Sequence, residues 1–201
     1  MHLVVVGVNH NTAPVELREK LSMDEGQLGQ ALSTIKSGAR VSEACIVSTC
    51  NRTEVYAVTH ARADDAALID FLCNYSGVEH EQLEECAFVR SGHHAARHLF
   101  EVSCGLDSLA LGETQILGQV KNAYCIAEDL GATSGVLNNL FQRAISIGKR
   151  ARTETNISRG AYSIGAAAAH LAKFVLLVLC QPGRFQPAGQ IFIDDVLEAI
   201  E

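Results

Sequence analysis

One of the seven cysteines, Cys50, stands in a polar segment that suits a nucleophile. The segment, residues 48–52, follows a β-branched apolar run, so it lies at the end of a predicted strand, where a fold can present a side chain rigidly. Arg52 supplies positive charge that favours the thiolate, and a thiolate attacks esters and thioesters readily. A buried structural cysteine is the alternative, but the polar neighbours favour a functional one.

Three histidines fall in one predicted helix: His93, His94 and His98. His94 and His98 are four residues apart and share a helix face. A metal site there needs a third ligand, which the sequence does not pair with them, so metal binding is the weaker interpretation. A single histidine that exchanges a proton near Cys50 is the stronger one. A solvated or capping histidine is the interpretation without chemistry.

Residues 105–119 place polar groups and glycines between two predicted helices. The side chains that can orient a small polar ligand are Asp107, Ser108, Glu113, Gln115 and Gln119. The glycine spacing matches neither G-x-x-x-x-G-K-[ST] nor G-x-G-x-x-G, so this segment is not predicted to cradle phosphate. A tight interhelical turn with capping residues is the alternative.

Residues 143–159 are locally basic in an acidic chain. The basic side chains are Arg143, Lys149, Arg150, Arg152 and Arg159, against the single acid Glu154. Such a stripe can meet an RNA phosphate backbone. A solvated helix end, whose cations offset the macrodipole, is the more ordinary interpretation.

The elements that position these residues form an α+β pattern. Hydrophobic periodicity predicts strands at 2–8, 41–48, 53–59 and 86–90. Helices are predicted at 14–21, 22–37 and 64–75, the second with Ser22 as N-cap and Glu25 completing a capping box. The order β-α-β-β-α-β, with the first helix split, predicts a ferredoxin-like split βαβ sheet, mostly antiparallel, with helices on one face. A helical subdomain follows, with helices predicted at 93–102, 112–130, 134–153 and 164–179.

The composition excludes several classes of protein. The chain has 201 residues, 48% hydrophobic and 19% charged, which predicts a globular protein. Aromatics are 5% and tryptophan is absent, so a base-stacking platform is not expected. A net charge of -7 argues against a surface that binds polyanions throughout. An odd number of cysteines without C-x-x-C spacing, no signal peptide and no long apolar run predict a cytoplasmic protein that does not enter the membrane.

Several long motifs in order resemble the N-terminal half of the glutamyl-tRNA reductase family. The matching stretches are residues 7–10, 12–20, 48–56, 97–124 and 148–168, and the resemblance covers roughly residues 1–172. It implies that a cysteine attacks the ester of glutamyl-tRNA(Glu), releases the tRNA and leaves a glutamyl thioester. NADPH then reduces the thioester to glutamate-1-semialdehyde, in the first step of tetrapyrrole (porphyrin and haem) biosynthesis.

The resemblance also implies roles for residues of this chain. Cys50 matches the nucleophile and His98 the histidine of the acid/base step. The residues that match substrate contacts are Thr49, Asn51, Arg52, Ser108, Glu113, Thr114, Gln115 and Gln119. Arg52 is the expected clamp for the glutamate carboxylate, because its planar fork binds such a group bidentately. Thr114 stands where many members have proline, which we expect to alter the helix start rather than the chemistry.

The resemblance divides the chain into three parts. Residues 1–155 are expected to form the catalytic domain, residues 156–180 a helical linker towards an NADPH domain, and residues 181–201 an atypical tail. The sequence contains no G-x-G-x-x-G, so no NADPH site and no dimerisation helix are expected in this chain. The tail is interpreted as a truncation, a frameshifted end or a cloning remnant.

The expected activity is therefore thioester formation or slow ester hydrolysis. Glutamyl-tRNA(Glu) is the expected partner, with glutamate-1-semialdehyde aminomutase as a further one, and the family is expected to be homodimeric. The alternative is a degenerate paralogue that binds tRNA or protein without catalysis.

Overall fold

A computed structural model of the chain describes residues 1–38, 40–61, 65–110 and 112–157. Its strands are β1 (His2–Asn9), β2 (Val41–Thr49), β3 (Arg52–Thr59) and β4 (Phe88–Ser91). Its helices are α1 (Val15–Leu21), α2 (Glu25–Ser37), α3 (Ala66–Ser76), α4 (His80–Cys86), α5 (His93–Cys104), α6 (Gln115–Asp129) and α7 (Gly135–Glu154). The helix predicted at 164–179, the tail and nearly all of the predicted linker lie outside the described residues.

The four strands form one antiparallel sheet in the order β2-β3-β1-β4. β2 and β3 are joined by a tight turn, while α1 and α2 carry the chain from β1 to β2, and α3 and α4 carry it from β3 to β4. The register pairs Arg52 with Asn9 on one side and with Thr49 on the other. The last residues of β1 and β2 therefore lie beside the first residue of β3, at the same end of the sheet. The α+β, ferredoxin-like fold class is confirmed.

Helices cover both faces of the sheet, so the prediction of helices on one face was wrong. Every residue of β3 is buried. On one face the Thr53 hydroxyl donates to the carbonyl of Leu21 at the end of α1. On the other, the Tyr56 ring contacts Phe141 of α7 and His98 of α5. Because successive strand side chains point to opposite faces, β1 and β3 bury consecutive residues when both faces are covered.

The N-cap of the second helix lies two residues later than the sequence suggested. Asp24 is its N-cap: its carboxylate accepts from the Gln27 N–H at 2.8 Å, and the Gln27 side chain accepts from the Asp24 N–H at 2.9 Å. Ser22, the predicted N-cap, instead ends α1, where its N–H donates to the carbonyl of Glu19. Ser22 and Asp24 each stand at the first position of a capping-box sequence. In the structure, Asp24 forms the capping box and Ser22 does not.

A glycine allows α7 to approach α5 and α6 closely. A Cβ atom on Gly148 would lie 2.6 Å from the Ser103 carbonyl oxygen and 2.8 Å from a Leu117 methyl carbon. This contact brings Arg152, one turn further along α7, to the start of α6. Within the described ranges, no helix has the length and apolar character needed to cross a bilayer.

Candidate active site

A small cavity of about 30 Å³ lies where the β2–β3 turn meets the loop before α6. It is lined by Thr49, Cys50, Asn51, Arg52, Ser108, Glu113, Gln115, Ile116 and Gln119. The predicted cysteine and ligand-contact residues therefore converge here, except Asp107, His98 and Thr114, which are not among the lining residues, and Ile116 joins them without having been predicted. Two segments more than fifty residues apart in sequence form its two walls.

Cys50 lies in the turn between β2 and β3 and is exposed. The turn is held from α1: Arg18 Nη1 donates to the Cys50 carbonyl oxygen at 2.7 Å and to Asn51 Oδ1 at 3.3 Å. Inside the turn, the Asn51 N–H donates to Thr49 Oγ1 at 3.2 Å. The Cys50 thiol is therefore exposed to solvent, and hydrogen bonds hold the backbone of its turn in place.

Arg52 lies below this turn and is only 1% exposed. Its Nη1 donates to Glu54 Oε1 at 2.8 Å and to Asp107 Oδ2 at 3.0 Å, and its Nη2 donates to the Asp107 backbone carbonyl. Its Nε is buried and has no partner among the described residues. The guanidinium therefore already holds two carboxylates, and its predicted contact with a substrate carboxylate stays a prediction.

Glu54 connects Arg52 to His98 and Tyr56. His98 Nε2 lies 3.0 Å from Glu54 Oε1, and the Tyr56 hydroxyl donates to Glu54 Oε2 at 2.7 Å. Burial by itself raises the pKa of Glu54, but the Arg52 charge and the His98 and Tyr56 hydrogen bonds outweigh it and lower the pKa to about 2. The sequence interpretation missed Glu54 and Tyr56. A carboxylate directly before the apolar run 55–58 of a predicted strand was the available signal.

His98 is fully buried and is not among the described residues that line the cavity. His94, which the helical spacing pairs with it, is exposed and borders a different surface groove. The structure therefore does not bring these two histidines together as a pair of ligands. The acid/base role of His98 stays a prediction.

Glu54, His98 and Asp107 place three potential metal-ligand atoms within 4.8 Å of one another. Arg52 Nη1 donates to both of the carboxylates in this group. The cation that the two carboxylates hold is thus the guanidinium, which a metal ion would have to displace. We assign no metal to this cluster.

The basic residues predicted as one stripe have separate partners in the structure. Arg143 donates to Asn139 at 2.7 Å, and Arg150 forms a bidentate pair with Glu154 at 3.0 and 3.1 Å. Arg152 turns inward and donates to the backbone carbonyls of Thr114 and Glu113. Arg159 lies outside the described residues. Arg152 is therefore committed to the cavity wall rather than to a continuous surface for RNA.

The turn after β1 supports the same network. Asn9 Nδ2 donates to Asp107 Oδ2 at 3.2 Å, and Asn9 Oδ1 accepts from the N–H groups of Asn11 and Thr12. The pKa of the following His10 is lowered by burial and by the charges of Arg52 and Arg18, against a smaller opposing effect of Asp107. This turn matches one of the family motifs, yet the sequence interpretation gave it no role in the site.

The fold and the site define a class of α+β domain that presents one exposed cysteine beside a polar cavity with a buried charge network. Residues 6–155 match the family model described as "Glutamyl-tRNAGlu reductase, N-terminal domain". The chain belongs to this family.

Curated relatives named glutamyl-tRNA reductase agree with this assignment. The chain is 50% identical over 174 residues to the one from Pelotomaculum thermopropionicum, covering 86% of this chain and 39% of that protein. It is 47% identical over 174 residues to the one from Geobacillus thermodenitrificans, covering 86% and 38%. The chain spans about two fifths of the length of these relatives.

A solved structure is similar as well. The glutamyl-tRNA reductase of Methanopyrus kandleri is 40% identical and superposes with a TM-score of 0.68, over 86% of this chain and 39% of that one.

Proposed function

We propose that this chain captures the glutamyl group of glutamyl-tRNA(Glu) as a thioester on Cys50, within the glutamyl-tRNA reductase reaction that begins tetrapyrrole biosynthesis. The observation that carries the proposal is the exposed Cys50 beside a polar cavity that Arg52, Ser108 and Glu113 also line. A thiol sealed among aliphatic side chains would have argued for the non-catalytic alternative. The names of the relatives supply the substrate.

Thioester formation exchanges one acyl bond for another. The Cys50 thiolate attacks the ester carbonyl carbon, a C–S bond forms, and the bond from that carbon to the ribose oxygen of the tRNA breaks. The proton that leaves the thiol ends on the ribose oxygen. The step therefore balances without an oxidant or a reductant.

A group in the cavity must carry that proton. Glu113 is the carboxylate among the described lining residues, and we propose that it accepts the thiol proton and returns it to the leaving oxygen. His98, the carrier that the resemblance implies, is the alternative, and it is fully buried with Nε2 on Glu54. The remaining amide and hydroxyl side chains then serve to orient the glutamyl group.

Reduction of the thioester to glutamate-1-semialdehyde needs a hydride donor, which is NADPH in the proposed reaction. Dinucleotides occupy the crevice at the carboxyl ends of parallel strands, beside a glycine-rich turn that opens a helix. Every strand pairing among the described residues is antiparallel. The described residues do not fit NADPH, and we assign no hydride step to them.

A covalent adduct tests the proposal directly. Wild-type protein is mixed with glutamyl-tRNA(Glu), and the reaction is quenched in acid. The protein is then digested, and the mass of the peptide that contains Cys50 is measured by mass spectrometry. A glutamyl adduct that hydroxylamine removes is expected on this peptide. Cys50→Ser is expected to give no adduct. Cys125→Ser, which changes a half-buried thiol on α6 that does not line the cavity, is expected to retain it. An equal adduct in Cys50→Ser, or none in the wild type, contradicts the proposal.

The remaining expectations are also proposals. They are a cytoplasmic location, a homodimeric assembly, the aminomutase as a partner, and the division into a domain of residues 1–155, a linker of 156–180 and a tail of 181–201.

A further inference from the structure

The two walls of the Cys50 cavity are each held by an arginine from a different helix. Arg18 of α1 binds the carbonyl of Cys50 on one wall. Arg152 of α7 binds the carbonyls of Glu113 and Thr114 on the other. Both guanidinium groups therefore contact the backbone of residues that the proposed reaction uses.

Arg152 uses both terminal nitrogens of its guanidinium for this contact. Its Nη1 donates to the Thr114 oxygen at 2.8 Å and its Nη2 donates to the Glu113 oxygen at 3.1 Å, while its Nε is buried and has no partner in the described part of the chain. Burial lowers its pKa. Within the described ranges, no carboxylate pairs with it, although Arg150 on the same helix has Glu154. Among the described residues, the two carbonyls of the cavity wall are therefore the hydrogen-bond partners of this guanidinium.

The Arg152 hydrogen bonds add to the other restraints on this wall among the described residues, which include the Asp107 bonds to Asn9 and Arg52. Thr114 is the N-cap of α6 but makes no side-chain capping hydrogen bond. Next to it, the described residues of the loop make two backbone hydrogen bonds, from Gly112 N–H to the Gly105 carbonyl and from Glu113 N–H to the Ala110 carbonyl. The fork of Arg152 spans the junction between this loop and the helix, where Glu113 and Gln115 enter the cavity.

We propose that Arg152 is a positioning residue for the acyl-capture reaction: it fixes the Glu113 wall at the correct distance from Cys50. The proposal rests on the proposed function, because it assigns Arg152 a place in the same site. Arg152 acts through the backbone of Glu113 and Thr114 and does not itself touch the glutamyl group. The charge that the sequence suggested for RNA thus serves to shape the site.

The test compares two reactions of the same thiol. Acyl capture from glutamyl-tRNA(Glu) needs both walls, whereas alkylation of Cys50 by iodoacetamide needs the thiolate alone. A displacement of about 1 Å in a reacting group lowers rates by about 100-fold. We expect Arg152→Met to lower the single-turnover rate of glutamylation about 10- to 100-fold and to leave the alkylation rate within about twofold.

Two further variants make the result specific. Arg150→Met removes an exposed arginine from the same helix end and is the matched control, expected to react as the wild type does. Arg152→Lys keeps the charge but cannot bridge both carbonyls with a planar fork. It is expected to recover part of the rate that Arg152→Met loses.

Hydrogen exchange supplies a readout that does not depend on activity. The amide hydrogens of Gly112 and Glu113 are expected to exchange faster in Arg152→Met than in the wild type or in Arg150→Met. Unchanged exchange, or unchanged glutamylation in a folded Arg152→Met protein, overturns the proposal. Equal losses of glutamylation and alkylation in both Arg152 variants also overturn it, because they indicate a general structural role. If the wild type forms no adduct, the proposed function fails, and exchange alone still decides whether Arg152 holds the wall.

Discussion

Arg52 and Glu54 stand two residues apart on β3 and form an ion pair of 2.8 Å between side chains that are 1% and 0% exposed. Residues i and i+2 of a strand share a face, so the strand itself brings the two charges together. The pair lies below the turn that presents Cys50, and Asp107 and His98 extend it. The stability of the site therefore depends on buried charges that compensate one another.

Replacing Glu54 by Gln is expected to destabilise the fold strongly. Removing one member of a buried ion pair leaves the other charge uncompensated, which costs about 3–5 kcal/mol. Asp107 still faces Arg52 in the variant, so we expect a loss of about 3 kcal/mol in the free energy of unfolding at pH 7. Urea denaturation measures this loss, and a loss within experimental error contradicts the buried pair.

The same pair predicts a dependence of stability on pH. The pKa of Glu54 is lowered from 4.5 to about 2 in the folded protein. A carboxylate with a lowered pKa contributes stability above its unfolded pKa and loses that contribution as the pH falls towards its folded pKa. Wild-type protein is therefore expected to lose more stability between pH 5 and pH 2 than Glu54→Gln does. Parallel stability curves for the two proteins would show that Glu54 is not the responsible group.

Replacing His98 by Gln separates two roles for this histidine. Loss of the hydrogen bond to Glu54 in a fully buried position is expected to lower the free energy of unfolding by about 1–3 kcal/mol. The pH profile of Cys50 alkylation is expected to stay unchanged, because His98 does not line the cavity among the described residues. A shift in the midpoint of that profile would instead favour direct proton exchange between His98 and Cys50.

Alanine substitutions at two helical glycines are expected to change the free energy of unfolding in opposite directions. In Gly148→Ala the new methyl group meets the Ser103 carbonyl oxygen and Leu117, so α7 must move and the unfolding free energy is expected to fall by about 1–3 kcal/mol. A methyl group on Gly118 of α6 would meet no atom of the described residues within 4 Å, so Gly118→Ala is expected to gain about 0.5–1 kcal/mol from helix propensity. Thermal unfolding of both variants measures the contrast, and a stabilised Gly148→Ala protein would contradict the close packing.

Local patterns in the sequence were enough to predict the order of the sheet elements along the chain and their antiparallel pairing. They missed α4, a short helix, and they misplaced the start of α2, because two candidate N-caps stood two residues apart. They also put helices on one face only. Burial of the second face depends on α5 and α7, and α7 is distant in sequence from β2 and β3, the strands that it contacts.

The sequence by itself determined that a cysteine follows a buried strand and that a polar, glycine-containing segment joins two later helices. Both conclusions depend on residue type and near-neighbour spacing. Only the tertiary structure decided which charges pair: Arg52 with Glu54 and Asp107, His98 with Glu54, and Arg152 with backbone carbonyls at the start of α6. Electrostatic pairing depends on distance in space and on burial, and the partners of Arg52, His98 and Arg152 include residues about forty to more than fifty positions away along the chain.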